Sequence, residues 1–146
     1  MRTITKLIYP LFIFLGSLTM LAACSDDDGD NLALAGTYTL TEESVTGCID
    51  VANNGTEAKG CTATDCETLT ISGDGTFSVI EIDNGVTTTE SGTYSTNGNQ
   101  ITFTKLSGTT PDSDVATFAL SGSSLILTFA EDSDSCVKVE TYMRAN

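Results

Sequence analysis

The chain carries five cysteines, 20 acidic side chains, six basic ones and no histidine. Cys24 stands apart, followed at once by Ser25-Asp26-Asp27-Asp28-Gly29-Asp30. Cys48, Cys61, Cys66 and Cys136 form a second group. An even set of thiols in an exported domain reads as two disulfides, with three connectivities open. The rival is zinc, but there is no histidine and Cys61-x4-Cys66 is not knuckle spacing, so no metal site is expected. The aspartate run is not a calcium loop either. Counting Asp26 as position 1, positions 6 and 12 are Asn31 and Thr37, where an EF-hand needs glycine and glutamate. No Gly-x-Ser-x-Gly elbow and no phosphate loop is present. Paired carboxylates can hydrolyse glycosides. Here the acids are scattered over turns and exposed faces, and the mid-strand Glu81 and Glu140 are expected to face solvent. The expectation is a non-enzymatic protein without metal or cofactor.

The elements that position these residues begin with an address. Arg2 and Lys6 form a positive head, Leu7 to Leu21 an uncharged apolar run, and Ala22-Ala23 a small-residue approach to Cys24. This is the anatomy of a secretory signal, and the run is short for a membrane span, which wants ~20 apolar residues. Leu21-Ala22-Ala23-Cys24 resembles the lipobox of bacterial lipoproteins. The resemblance implies cleavage before Cys24, acylation of Cys24 and anchoring to a membrane through the acyl chains. Two such chains already suffice for stable attachment. Ser25 to Asn31 lacks apolar residues and reads as a flexible tether. It also resembles the acidic export signal of surface lipoproteins in Bacteroidota, which implies the outer membrane and exposure at the cell surface. The expected organisation is a signal peptide over 1–23, an acylated cysteine and acidic tether over 24–34, and a folded domain over 35–146.

Removal of residues 1–23 takes away Arg2 and Lys6 and leaves Lys59, Lys105, Lys138 and Arg144 against the same 20 acids. Such a balance speaks against nucleic acid and against electrostatic docking on anionic lipid.

The domain reads as all-β. Eight runs rich in threonine, valine and aromatics, most of them alternating, are expected as strands: Gly36–Val45, Glu67–Ser72, Thr76–Ile82, Val86–Ser95, Gln100–Lys105, Asp114–Ser121, Ser124–Ala130 and Cys136–Met143. Gly73-Asp74-Gly75, Asp83-Asn84-Gly85, Asn97-Gly98-Asn99 and Gly122-Ser123 supply tight turns between them. Chain neighbours should therefore pair as an antiparallel meander. One face collects Tyr38, Leu40, Leu69, Ile71, Phe77, Val79, Tyr94, Ile101, Phe103, Phe118, Leu120, Leu125, Leu127, Phe129, Val137 and Val139. Eight amphipathic strands with short turns favour closure into an up-and-down barrel, whose interior is either filled or holds one small ligand. Thr46 to Asp65 is left as a long polar loop, placed at one barrel mouth as lid, contact surface or plain connection.

Gly36-Thr37-Tyr38-Thr39-Leu40, Leu69 to Phe77, Gly92-Thr93-Tyr94-Ser95, Asn97 to Phe103 and the closing Thr141-Tyr142-Met143-Arg144 resemble the recurrent strands of lipocalin-like domains. The likeness covers residues 35 to 144. Tyr38 is a departure, standing where many members have tryptophan. The resemblance implies an eight-stranded antiparallel up-and-down barrel that binds a small apolar or amphipathic molecule. The candidate lining is Tyr38, Phe77, Tyr94, Phe103, Phe118 and Phe129. In a closed meander the first and last strands pair antiparallel, which places Tyr38 near Met143 and Cys48 near Cys136. Cys48–Cys136 and Cys61–Cys66 are the expected disulfides. The other reading is a filled barrel acting as a surface interaction module. It would bind a protein or glycan partner or serve an outer-membrane uptake complex.

Overall fold

The computed structural model describes residues 33–105, 111–130 and 135–145. The expected signal peptide over 1–23, the expected acylation at Cys24 and the acidic run Ser25 to Asn31 lie outside the described residues. Among the described residues nine strands follow one another: β1 (Gly36–Thr46), β2 (Gly55–Ala58), β3 (Asp65–Ile71), β4 (Thr76–Asp83), β5 (Val86–Asn97), β6 (Gln100–Lys105), β7 (Asp112–Ser121), β8 (Ser124–Ala130) and β9 (Val137–Arg144). From β3 to β9 each strand pairs antiparallel with the next, β1 pairs with β3, and β1–β9 pairing closes the ring. Eight of the strands form the expected up-and-down barrel. Closure removes the free edges that an open sheet would expose.

The ninth strand, β2, was hidden in the expected long loop. β1 is long enough to be shared. Its first half, Gly36–Thr39, pairs with β3, and its second half, Glu42–Val45, pairs with β2 on the same side. The rest of the connection is anchored rather than loose. Val51–Asn53 forms a 3-10 turn capped by the Asp50 side chain, and Asn54 Oδ1 accepts from Cys48 N at 3.0 Å. The Cys48–Cys136 and Cys61–Cys66 disulfides pin its two ends. Both pairings are those expected.

The turns obey their sequences. Asn84 and Gly85, with φ of 50° and 80°, make the two-residue turn between β4 and β5, as hairpin twist demands. The core fills one half of the barrel: Leu34, Tyr38, Leu40, Leu69, Ile71, Phe77, Tyr94, Ile101, Phe103, Ala116, Leu125, Leu127 and Tyr142. This core, the ring closure and both disulfides all lie within residues 33–145, so the barrel is a self-contained folding unit.

Three expectations about facing change. Leu34, assigned to the tether, is buried to 1% exposure and belongs to the core. Leu120 and Val137 are exposed, and Val139 is only half-buried. The cause in β9 is register. Tyr38 pairs with Arg144 rather than Met143, and a one-residue slip turns every side chain of a strand to the other face. Lys138, Glu140, Tyr142 and Arg144 therefore share the inner face.

Candidate functional site

The two ends of the barrel differ. One is sealed. Tyr38, fully buried, donates its hydroxyl to Leu34 O at 2.8 Å. Arg144 Nη2 donates to Tyr38 Oη at 2.7 Å and to Ala33 O at 3.1 Å, and its guanidinium lies 5.2 Å from the Tyr38 ring centroid. Gly36 makes room for this: a Cβ there would stand 3.1 Å from Arg144 Nε. The Tyr94 hydroxyl donates to Ser72 O at 3.0 Å and ties the β3–β4 turn to the same end. Tyrosine and arginine thus build a floor in a chain that has no tryptophan.

The other end is open, and the upper half of the barrel encloses a cavity of about 720 Å³. Its lower wall is apolar: Leu69, Phe77, Val79, Phe103, Leu127 and Phe129. Phe77 and Phe103 meet edge to face with centroids 4.9 Å apart, a favoured aromatic geometry. Its upper wall is charged: Glu43, Glu67, Glu81, Glu90, Asp114 and Glu140, with Lys105 and Lys138. The pleat explains this division. In β3 the inner series runs Ile71, Leu69, Glu67; in β4 Phe77, Val79, Glu81; in β6 Ile101, Phe103, Lys105. Each begins apolar at the sealed end and turns charged at the mouth.

Glu43 reaches the wall through an irregularity. Leu40 pairs with Tyr142 but Glu42 pairs with Thr141, so Thr41 is an extra residue in β1. A bulge of this kind re-aims the side chains beyond it. It is held by two bonds: Thr41 Oγ1 donates to Thr141 O at 2.9 Å, and Lys59 N donates to Thr41 O at 2.8 Å.

The charges are organised in pairs of acids sharing a lysine. Lys105 Nζ lies 3.0 Å from Glu90 and 3.1 Å from Asp114. Lys138 Nζ lies 2.7 Å from Glu140 and 3.1 Å from Glu43. Burial would lower the Lys138 pKa, but the hydrogen bonds and charges of Glu140 and Glu43 outweigh it and hold the ammonium above its ordinary value. Deeper in the cup, the Tyr142 hydroxyl touches Glu67 Oε1 and lies 2.9 Å from Glu140 Oε2. One phenol carries one proton, so hydrogen bonds to both acids together need a proton on one of the carboxyls. Burial first, and then the charge of Glu140, raise Glu67 above the ordinary carboxyl range. Burial and the same two acids raise Tyr142 further still, so it stays a phenol.

Of the expected lining residues, Phe77, Phe103 and Phe129 do line the cavity. Tyr38 and Tyr94 do not; they are core residues of the sealed end, and Phe118 packs against the core from β7. The expectation that the mid-strand acids face solvent is overturned for Glu140, which is 8% exposed, while Glu81 lines the cup from its mouth side. The signal was present for Glu67 and Glu81, which share the parity of Leu69 and of Phe77 and Val79.

A closed antiparallel meander, filled at one end and cupped at the other, is a small up-and-down β-barrel, an architecture whose interior is either filled by side chains or holds one small ligand. The chain belongs to the lipocalin-like domain family, whose model matches residues 34–127. In fold it is similar to a crystal structure of a lipocalin-like protein from Bacteroides uniformis, with a TM-score of 0.54 and 21% sequence identity over 77% of this chain and 98% of that one. No curated protein matches it.

Proposed function

We propose that the protein is a lipid-anchored lipoprotein of the cell envelope whose barrel binds one small amphipathic molecule without transforming it. The observation that carries this is the cup itself. Its volume of about 720 Å³ falls within the ~300–1,000 Å³ of small-molecule sites, and its apolar floor under a polar wall matches a molecule with two unlike ends. The anchor rests on Leu21-Ala22-Ala23-Cys24 and the aspartate run that follows. The two features are compatible in space. The chain enters the barrel at the sealed end, where Ala33 O and Leu34 O are held by Arg144 and Tyr38, so an upstream anchor leaves the mouth free.

A fluorescent apolar amphipath titrated into the chain lacking its first 24 residues tests the cup. One-to-one binding is expected, lost when Val79→Trp fills the cavity while circular dichroism stays that of a β-barrel. Unchanged affinity in the filled variant would defeat this reading. Labelled palmitate tests the anchor: label in the natural chain and none in Cys24→Ala is expected. Protease shaving of intact cells tests the address, and a lipoprotein protected until the envelope breaks would refute surface exposure.

A second reading has its own observation. Ile49 and Val51, in the connection pinned at Cys48, are 78% and 76% exposed. Apolar side chains so displayed suit contact with a protein or glycan partner, and this would stand if the cup proves empty.

A further inference from the structure

We infer that the cavity selects an amphipath with a cationic head, its ammonium seated among the mouth carboxylates and its tail on the phenylalanine floor. This rests on the proposed ligand-binding role of the cup and adds the charge of the ligand.

The argument starts from the balance of the wall. Among the described residues lining the cavity, six carboxylates face two lysines. Each lysine is already shared between two acids, Lys105 by Glu90 and Asp114 and Lys138 by Glu43 and Glu140. The one proton that the Tyr142 contacts to Glu67 and Glu140 require still leaves five carboxylates facing two ammonium groups. The missing positive charge is therefore a property of the cavity wall itself. A recess walled by protein focuses such a field more strongly than an open surface does.

The second step is position. Tyr142, whose hydroxyl contacts Glu67 and Glu140, is itself a core residue and lines the cup beside Leu127 and Leu69. The carboxylates thus begin where the apolar floor ends. A molecule with its tail on Phe77, Phe103 and Phe129 brings its head level with Glu67 and Glu81. An ammonium there gains counter-charges and acceptors. A carboxylate head meets like charges, and a hydroxyl head is indifferent to the imbalance.

Three eight-carbon probes that differ only in the head test this by titration calorimetry at pH 7 on the chain lacking its first 24 residues: octylammonium, octanol and octanoate. Octylammonium is expected to bind at least about tenfold more tightly than octanoate, the preference shrinking at about 1 M salt. The variant Glu81→Gln, nearly isosteric, is expected to weaken octylammonium by about three- to tenfold and leave octanol unchanged. Equal or tighter binding of octanoate overturns the inference. So does an unchanged octylammonium affinity in Glu81→Gln. Octanol binding without charge preference overturns the inference alone and leaves the ligand-binding role standing. Failure of all three probes removes that role and the inference with it.

Discussion

Glu43 pairs with Glu140 across the seam between the first and last strands, and Lys138 holds both carboxylates from the same strand as Glu140. Two acids face each other here because Thr41 is bulged out of β1. A regular ladder would have turned Glu42 inward instead. The seam that closes the barrel therefore also builds part of the cavity wall, so ring closure and site electrostatics depend on the same residues.

Lys138→Met leaves Glu43 and Glu140 opposed with no shared cation. Glu140 is almost wholly buried and Lys138 partly so, which puts the pair between the exposed and buried extremes. A loss of ~1–3 kcal/mol is expected in urea unfolding at pH 7. Most of it should return when Glu43→Gln and Glu140→Gln accompany the change. A loss that persists in the triple variant would contradict the reading that Lys138 stabilises by neutralising Glu43 and Glu140.

Glu67 gives the protein a weakly acidic signature. Its folded pKa is raised, by burial first, so above the ordinary carboxyl range the folded chain holds a proton that the unfolded chain has lost. Stability therefore falls as pH rises through that window, roughly pH 4 upward to the raised value. Glu67→Gln lacks this term. Melting temperatures measured across the window should show the natural chain falling relative to the variant. Lys138 does not confuse the comparison: its raised pKa keeps its contribution intact at neutral pH and loses it only in alkali. Parallel curves would contradict the assignment.

Gly92 faces inward between Phe77 and Lys105 in the β4–β5–β6 ladder. A Cβ there would stand 2.0 Å from Thr104 O and 2.9 Å from the Phe77 ring. The backbone carbonyl cannot swing away without breaking the ladder. Gly92→Ala is expected to cost ~1–3 kcal/mol or more by overpacking, read as a lowered thermal midpoint. An unchanged midpoint would show that the strand yields.

The disulfides should contribute unequally. Cys48–Cys136 spans 88 residues and Cys61–Cys66 only five. On the chain-entropy account the first is worth ~4–5 kcal/mol and the second ~2 kcal/mol. Replacing each pair by alanines and comparing denaturant midpoints should rank them in that order, and the reverse ranking would contradict it.

The strands were legible because threonine, valine and aromatics alternate and because turns such as Asn84-Gly85 announce themselves. β2 was not, since Gly55-Thr56-Glu57-Ala58 is exposed throughout and has no apolar period to read. The face of β9 was not, for a physical reason. Apolar-in patterning holds only in the sealed half of a cup. Val137 and Val139 look like core beside Lys138 and Glu140, yet near the mouth the inner wall is the polar one. Thr41 compounds this, because no sequence signal marks it as the extra residue. The same alternation did carry Glu67 and Glu81 inward with their apolar neighbours; the assumption that acids face water hid them.

The central claim is that the upper barrel is a ligand cup, and native mass spectrometry tests it most directly. The protein would be recovered from its own membranes, clipped free of its anchor within the aspartate run, and weighed before and after denaturation. One discrete extra mass, lost on denaturation, is the predicted result. A bare protein mass in both spectra, with two disulfides intact, would contradict it and shift the work of the protein to its outer surface.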